Sequence, residues 1–115
     1  MHSECLFCKI IKGQIPAEKV YEDEMVFAFS DIKPAAPLHI LIIPKEHIPS
    51  LAHVLPSQQQ LLGHIQLVAS KIAKLYPQTK NGFRLVANSG KDAGQTVFHL
   101  HYHLLAGRDF GWPPG

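Results

Sequence analysis

Three of the chain's eight histidines stand at alternate positions near its C-terminal end. They are His99, His101 and His103, in the stretch FHLHYHLL. Alternate residues of a β-strand face the same side, so the spacing predicts one face with three imidazoles and an opposite, apolar face that covers a core. Imidazole is both the commonest metal ligand and the commonest general acid or base. The triplet alone therefore predicts metal binding and catalysis equally well, whereas a merely solvated face would be served by Lys, Glu or Thr.

The segment NSGKDAGQT lies just before the triplet. Gly90 and Gly94 allow a tight turn that can approach a ligand, and Asn88, Gln95 and Thr96 add neutral hydrogen-bond donors. Taken alone, the segment is equally an ordinary hairpin turn, and it matches neither a P-loop nor a dinucleotide fingerprint. Beside a histidine face, it predicts a site for phosphoryl or nucleotidyl transfer.

The chain's two cysteines form a C-x-x-C pair near its N-terminal end. Cys5 and Cys8 are too close together to staple a small secreted fold. In a reducing compartment this spacing indicates metal or redox chemistry.

Composition narrows the classes of partner. The chain has 115 residues, of which 46% are hydrophobic, so we expect one domain over residues 1–115 with a small core. A net charge of +2 and the lack of a basic run argue against binding to a nucleic acid polymer or a membrane surface. The longest apolar run, LHILII, is too short to span a bilayer, and no secretory signal opens the chain. We expect a cytoplasmic protein with a small-molecule partner.

Five strands and two helices are predicted to position these residues. Apolar runs predict a short helix at CLFCKIIKG, a hairpin formed by EKVYED and MVFAFSD, an interior strand at LHILIIP and a further strand at FRLVAN before the histidine strand. Between the last two of these lies a long helix, with a capping box at Ser57 and Gln60. Its apolar stripe comprises Leu61, Ile65, Val68, Ile72 and Leu75. The pattern predicts an α+β domain.

Two longer strings resemble one family. GQTVFHLHYHLLAGR and FSDIKPAAPLHILIIPKEHI are similar to the histidine triad (HIT) proteins, in particular to the Hint-type nucleotide-binding phosphoramidases. The resemblance implies an antiparallel five-stranded sheet with one long and one short N-terminal helix, and two such sheets joined in a homodimer. It also implies hydrolysis of purine nucleoside 5′-phosphoramidates to a nucleoside monophosphate, such as AMP, and an amine. A dinucleoside polyphosphate hydrolase and a zinc-stabilised nucleotide-binding scaffold remain alternatives.

The resemblance also implies roles for four histidines. His101 corresponds to the nucleophile, which becomes transiently nucleotidylated while a backbone carbonyl holds its far ring nitrogen as N–H. His103 corresponds to the residue that contacts the phosphate oxygens, and His39 to a member of the proton network that serves the leaving group. His99 completes the catalytic set.

The nucleotide contacts follow from the same resemblance. Asp31 would accept the ribose hydroxyls, and Asn88, Gln95 and Thr96 lie where the family contacts the phosphate. The apolar slot for the base is implied at Phe7, Phe29 and Ile32, although Phe29 and Ile32 fit plain core equally well. Trp112, in the tail WPPG, would approach the partner's site in a dimer.

Two departures from the family pattern leave the base preference open. Thr96 stands where many relatives have Ser, and Ser30 stands where animal members have His. A hydroxymethyl group does not offer the stacking surface of an imidazole.

A structural zinc site is implied by bacterial relatives. The ligands would be Cys5, Cys8, His47 and His99, a closed Cys₂His₂ set. Two cysteines packed as small hydrophobic residues are the alternative. If His99 holds zinc, it is unavailable as an acid or base, and its catalytic role becomes one of orientation.

Overall fold

The computed structural model describes residues 4–115 as a five-stranded antiparallel sheet with helices on both faces. The strands lie in the order β1-β2-β3-β5-β4. Their bounds are Lys19–Glu22 for β1, Val26–Ser30 for β2, Leu38–Pro44 for β3, Arg84–Ala87 for β4 and Tyr102–Ala106 for β5. The helices are α1, Leu6–Ile11, and α2, Gln59–Ala73. The predicted α+β class, with a hairpin of β1 and β2, is confirmed.

Strand β3 lies at the centre of the sheet and is buried along its whole length. It pairs with β2 on one side and β5 on the other. A strand covered on both faces must be apolar at successive positions, which is why LHILIIP reads as a continuous run. The prediction of an interior strand is confirmed with the same bounds.

The alternation of β3 divides the core into two. Ile40 and Ile42 pack with the α2 stripe, while Leu41 and Ile43 pack with Phe7 of α1. Because successive side chains point to opposite faces, one strand serves both layers. Within residues 4–115 no helix has the length and apolar character needed to cross a membrane.

Helix α2 differs from its prediction at both ends. A 3₁₀ turn, Pro56–Gln58, precedes it, and the Gln58 side chain accepts a hydrogen bond from the Leu55 N–H at 2.7 Å. The capping box predicted at Ser57 and Gln60 is therefore wrong, because the first turn starts earlier and is closed by Gln58. Leu75 lies beyond the end of the helix and is 64% exposed, so it is not part of the buried stripe.

The histidine segment is only partly a strand. β5 begins at Tyr102, so His99 and His101 lie in the bend that leads to it. The ladder between β3 and β5 ends at the pair Ile42 and Tyr102, and the Leu100 N–H donates instead to the Ile48 carbonyl at 2.6 Å. The alternation of faces nevertheless continues through the bend. Leu100, Tyr102 and Leu104 enter the core beneath α2, and the histidines face α1.

Asp23 ties the β1–β2 turn to helix α2. Its carboxylate accepts hydrogen bonds from Tyr21 Oη at 2.8 Å and from the Met25 and Val26 N–H groups at 2.8 and 2.9 Å. His64 Nε2 lies 2.7 Å from the same carboxylate. Partial burial opposes ionisation, but the hydrogen bonds from His64, Met25 and Tyr21 outweigh it and lower the pKa of Asp23 to about 2.

We expect Asp23→Asn to lower the free energy of unfolding by about 1–2 kcal/mol at pH 7. The native pKa lies below the ordinary value of 3.8, so this stabilisation is complete above about pH 5 and is lost as the pH falls toward 2. Urea unfolding at pH 7 and pH 3 should show a smaller difference between variant and wild type at pH 3. Glu24→Gln, which changes an exposed carboxylate in the same turn, is the control. An equal difference at both pH values would contradict the prediction.

Candidate active site and metal site

His101 is buried, and its ring orientation is set by the backbone. Its Nδ1 lies 2.8 Å from the His99 carbonyl oxygen. A carbonyl oxygen only accepts hydrogen bonds, so Nδ1 carries the proton and Nε2 keeps its lone pair in the neutral ring. The predicted contact with a backbone carbonyl is therefore present. Nε2 of His101 is the ring nitrogen that can attack an electrophile.

His39 links the start of β3 to His103. The Ala35 N–H donates to His39 Nδ1 at 2.9 Å, so the proton of the neutral ring is on Nε2. His39 Nε2 lies 2.9 Å from His103 Nδ1 and 3.4 Å from an oxygen of Asp31. His103 Nδ1 accepts this hydrogen bond, which leaves the proton of His103 on Nε2. A backbone amide thus determines the tautomers of two rings in series.

The environment keeps both rings neutral. Burial, followed by the neighbouring His101 and His39, lowers the pKa of His103 to about 4, against the opposing effect of Asp31. Burial also lowers the pKa of His39. At pH 7 His103 is therefore an uncharged ring whose single N–H donor is on Nε2. It lies beside His101, with a separation of 5.0 Å between the ring centroids of His101 and His103.

Asp31, His39 and His103 also have the composition of a metal site, since their ligand atoms lie within 4.8 Å of one another. The hydrogen bond from Ala35 argues against that use. It occupies the Nδ1 lone pair of His39, so a metal at Nε2 would require an imidazolate anion. The geometry fits a hydrogen-bonded relay, from the Ala35 N–H through His39 to His103, better than a metal centre.

Phe7 connects helix α1 to the His101 ring. Its ring makes edge contacts with His101, His99 and Phe29, at centroid separations of 5.1, 5.9 and 5.6 Å. Phe7 and Phe29 are both buried. Ile32, the third residue predicted for a base slot, is 91% exposed and lies in the loop that follows β2.

The side chain of Gln95, which was predicted to contact the phosphate, closes the glycine loop instead. Gln95 Oε1 accepts from the Gly90 N–H at 2.8 Å, and Gln95 Nε2 donates to the Pro49 and Val97 carbonyls at 2.8 and 3.0 Å. Gly90 and Gly94 have φ angles of 90° and 83°, which side chains with a Cβ rarely adopt. The buried Gln95 amide therefore shapes the loop from within.

The remaining predicted contacts lie around this centre. One oxygen of Asp31 accepts from the Lys33 N–H at 2.8 Å, and the other faces His39. Asn88 is partly buried directly after β4, and Thr96 is exposed after the glycine loop. Trp112 lies beyond the last strand and is 84% exposed.

A second cluster joins helix α1 to the sheet. Cys5, Cys8, His47 and His99 place their ligand atoms within 4.8 Å of one another. Cys5 Sγ lies 3.4 Å from His99 Nδ1, and Cys8 Sγ lies 3.4 Å from His47 Nδ1 and 3.6 Å from His99 Nδ1. A tetrahedral ion with bonds of ~2.3 Å to sulfur and ~2.0 Å to nitrogen would hold such ligands ~3.5 Å apart. The four side chains therefore could hold a metal ion.

Neighbouring groups support metal binding by this cluster. His99 Nε2 lies 2.7 Å from the Pro44 carbonyl, so the proton is on Nε2 and the Nδ1 lone pair faces the sulfur atoms. Among the protein groups alone, burial and the adjoining Cys5 raise the pKa of the Cys8 thiol to about 11. A cation between the thiols would reverse this preference for the protonated form.

Sequence reasoning predicted a backbone carbonyl at His101 but missed the backbone groups that orient His39 and His99. The Ala35 N–H and the Pro44 carbonyl belong to residues with no chemistry in their side chains. One available signal was the length of the loop DIKPAAP, which must fold back over the start of the strand that carries His39.

The chain is similar in sequence and fold to known proteins. A model of the HIT domain matches residues 12–110. The protein HitA of Neisseria gonorrhoeae is 52% identical over 101 residues, which cover 88% of this chain and 94% of HitA. The crystal structure of a HIT family hydrolase from Legionella pneumophila has a TM-score of 0.93 at 49% identity, covering 96% of this chain and 99% of that one. The histidine triad nucleotide-binding protein from Candida albicans has a TM-score of 0.81 at 37% identity, covering 95% and 82% respectively.

Proposed function

The chain belongs to the HIT family, and on this premise we propose that it hydrolyses purine nucleoside 5′-phosphoramidates of the adenosine 5′-monophosphoramidate type. The products would be a nucleoside monophosphate and an amine. One observation carries the proposal. The His101 ring is held by the His99 carbonyl with its Nε2 lone pair available for attack. The hydrolase and the nucleotide-binding protein with the same fold support this reaction class.

The proposed reaction has two displacement steps at phosphorus. His101 Nε2 attacks the α-phosphorus, the phosphorus–nitrogen bond to the amine breaks, and the departing nitrogen takes up a proton from solvent, which the attacking water of the second step returns. Water then attacks the nucleotidyl-histidine, and the bond to His101 breaks to release the monophosphate. Splitting the hydrolysis in this way replaces one difficult step by two easier ones.

The hydrogen-bonded pair His39 and His103 would supply an oriented N–H donor to the substrate rather than a positive charge. We assign His103 to the phosphate oxygens, because its neutral ring retains one N–H donor on Nε2. Both ring nitrogens of His39 are engaged, so it would serve the leaving-group side through His103. His99 would act by orientation, with its carbonyl on His101 and its ring in the metal set.

The nucleotide would lie over the same face. Asp31 has the two acceptor oxygens that a pair of ribose hydroxyls requires, and Asn88 and Thr96 would contact the phosphate. Phe7, Phe29 and the exposed Ile32 are proposed for the base. Because the side-chain amide of Gln95 is engaged within the loop, we assign Gln95 to loop shape rather than to direct contact.

Zinc is the ion proposed for Cys5, Cys8, His47 and His99. Two thiolates and two imidazoles form a preferred zinc set. With four protein ligands the ion would have no open position, so its contribution would be to tether helix α1 to the sheet. The chemical step would need no metal.

A homodimer is proposed as the working form. Strand β4 lies at an edge of the sheet, and an unpaired edge can take a further strand. The exposed Trp112 would then approach the partner's site.

A paired assay tests the activity. We expect purified protein to hydrolyse adenosine 5′-monophosphoramidate with a kcat/KM at least ~10-fold above that for a diadenosine polyphosphate, a difference of about 1.4 kcal/mol in transition-state binding. The measurement is AMP release under single-turnover and steady-state conditions. Faster release from the polyphosphate would identify a dinucleoside polyphosphate hydrolase. AMP binding without turnover of either compound would identify a nucleotide-binding scaffold.

A further inference from the structure

Arg108 lies outside the histidine cluster but is bound to the loop that orients it. Its Nε and Nη2 both donate to the Ala35 carbonyl oxygen, each at 3.2 Å, and its Nη1 donates to the Asp109 carbonyl at 3.0 Å. The guanidinium also stacks on Phe110, with its central carbon 4.3 Å from the ring centroid. Two donors on one oxygen fix the direction of that carbonyl more firmly than one donor can.

The loop between β2 and β3 is stiff enough to transmit this constraint. Pro34 has a fixed φ, and Pro37 restricts the residue before it, so Ala35 lies in a segment with few conformations. The end of β5 is also packed tightly on the loop. A Cβ added to Gly107 would lie only 2.8 Å from Pro37 Cβ. The Ala35 carbonyl and the Ala35 N–H belong to successive peptide units that meet at the Ala35 Cα, so holding the carbonyl limits the rotation about this Cα that would turn the N–H away from His39 Nδ1.

We propose that Arg108 is a positioning residue for the reaction, which sets the tautomers of His39 and His103 through the backbone of Ala35. The path consists of hydrogen bonds from the Arg108 guanidinium to the Ala35 carbonyl, from the Ala35 N–H to His39 Nδ1, and from His39 Nε2–H to His103 Nδ1. Without the guanidinium, the Ala35 amide is free to turn away, and His39 can then carry its proton on Nδ1. His103 would lose the hydrogen bond that keeps its own proton on Nε2.

Arg108→Met tests the assignment, because it retains an aliphatic stem on Phe110 and removes every donor. The kinetic part rests on the proposed phosphoramidase activity. We expect kcat for adenosine 5′-monophosphoramidate to fall about 10-fold with KM unchanged within about two-fold, since misplacing a catalytic group lowers the rate more than it lowers binding. Arg108→Lys should recover part of the loss, as it restores one donor but not the fork.

Arg84→Met is the matched control. Arg84 lies over the same Phe110 ring, at 5.2 Å, but it donates to the Gly111 carbonyl, at 2.8 Å, where Arg108 donates to the Ala35 carbonyl. It therefore reports the effect of loosening the tail alone. Thermal unfolding of both variants would show whether their stabilities match.

Ring-nitrogen NMR at neutral pH provides a readout that needs no substrate. We expect wild type and Arg84→Met to hold the His39 proton on Nε2, and Arg108→Met to populate both tautomers. If no phosphoramidate is hydrolysed by wild type, the proposed function fails while the NMR result still tests the relay. An unchanged His39 tautomer in Arg108→Met overturns the assignment. So does an unchanged kcat in an active enzyme, or the same tautomer change in Arg84→Met.

Discussion

Replacement of His101 by Asn is expected to lower turnover at least ~10³-fold, the scale seen when a covalent nucleophile is removed. Asn retains polarity and approximate size but lacks the Nε2 lone pair that the His99 carbonyl leaves available. Affinity for AMP should stay within a few-fold of wild type, because the ribose and phosphate contacts are assigned to other residues. Steady-state rates and calorimetric AMP binding measure the two quantities separately.

The covalent intermediate gives a direct check of the same assignment. Rapid quenching of wild type should trap a nucleotidyl adduct that is labile in acid and stable in base, as a phosphorus–nitrogen bond requires. Peptide mapping should locate it on His101. His103→Ala is the companion variant. It should lower turnover less than His101→Asn does, because the attacking nitrogen remains and only a phosphate donor is lost. An adduct on His99 or His103, or a fully active His101→Asn, would refute the role of His101.

Loss of the metal set is expected to have the largest effect on stability. Elemental analysis of purified protein should find one zinc per chain that survives dialysis. The double variant Cys5→Ser, Cys8→Ser should bind none and should lose several kcal/mol of unfolding free energy, since the binding energy of a structural zinc is folding energy. The cluster joins helix α1 to the segment that follows β3 and to the histidine bend, so its loss leaves the packing of Phe7 and Ile10 to hold α1 on the sheet.

Removal of the metal by a chelator should lower thermal stability more than it lowers the rate of phosphoramidate hydrolysis. A metal with four protein ligands has no position for substrate, so its removal does not delete a catalytic group. Thermal unfolding and phosphoramidate hydrolysis, measured on the same chelated sample, give the comparison. Metal-free protein with unchanged thermal stability would contradict the zinc assignment.

The fold could be predicted where a residue pattern has one structural solution. LHILIIP is apolar at every position except His39, and only a strand covered on both faces accommodates that run. The histidine spacing predicted a shared face, which the structure contains. The start of β5 could not be predicted, because it depends on a tertiary contact in which the Leu100 N–H donates to the Ile48 carbonyl beyond the end of β3.

Less of the candidate site than of the fold could be predicted from the sequence. Cys5 and His99 are 94 positions apart, and spacing alone does not bring them together, so the metal set was available only through resemblance. The groups that fix the ring tautomers are a backbone N–H at Ala35 and backbone carbonyls at Pro44 and His99. Every residue has such groups, so a pattern of side chains carries no sign of them.

His99 belongs to both sites at once, because its ring lies in the metal set and its carbonyl holds the His101 ring. Binding of an ion at one site and formation of the proposed nucleotidyl-histidine at the other would therefore be coupled through a single residue. If the ion restrains the His99 backbone in the geometry that favours the nucleotidylated form of His101, linkage requires the nucleotide to favour ion binding by the same free energy. A nucleotide trapped on the enzyme should then raise the affinity for the ion, so metal affinity would report active-site occupancy.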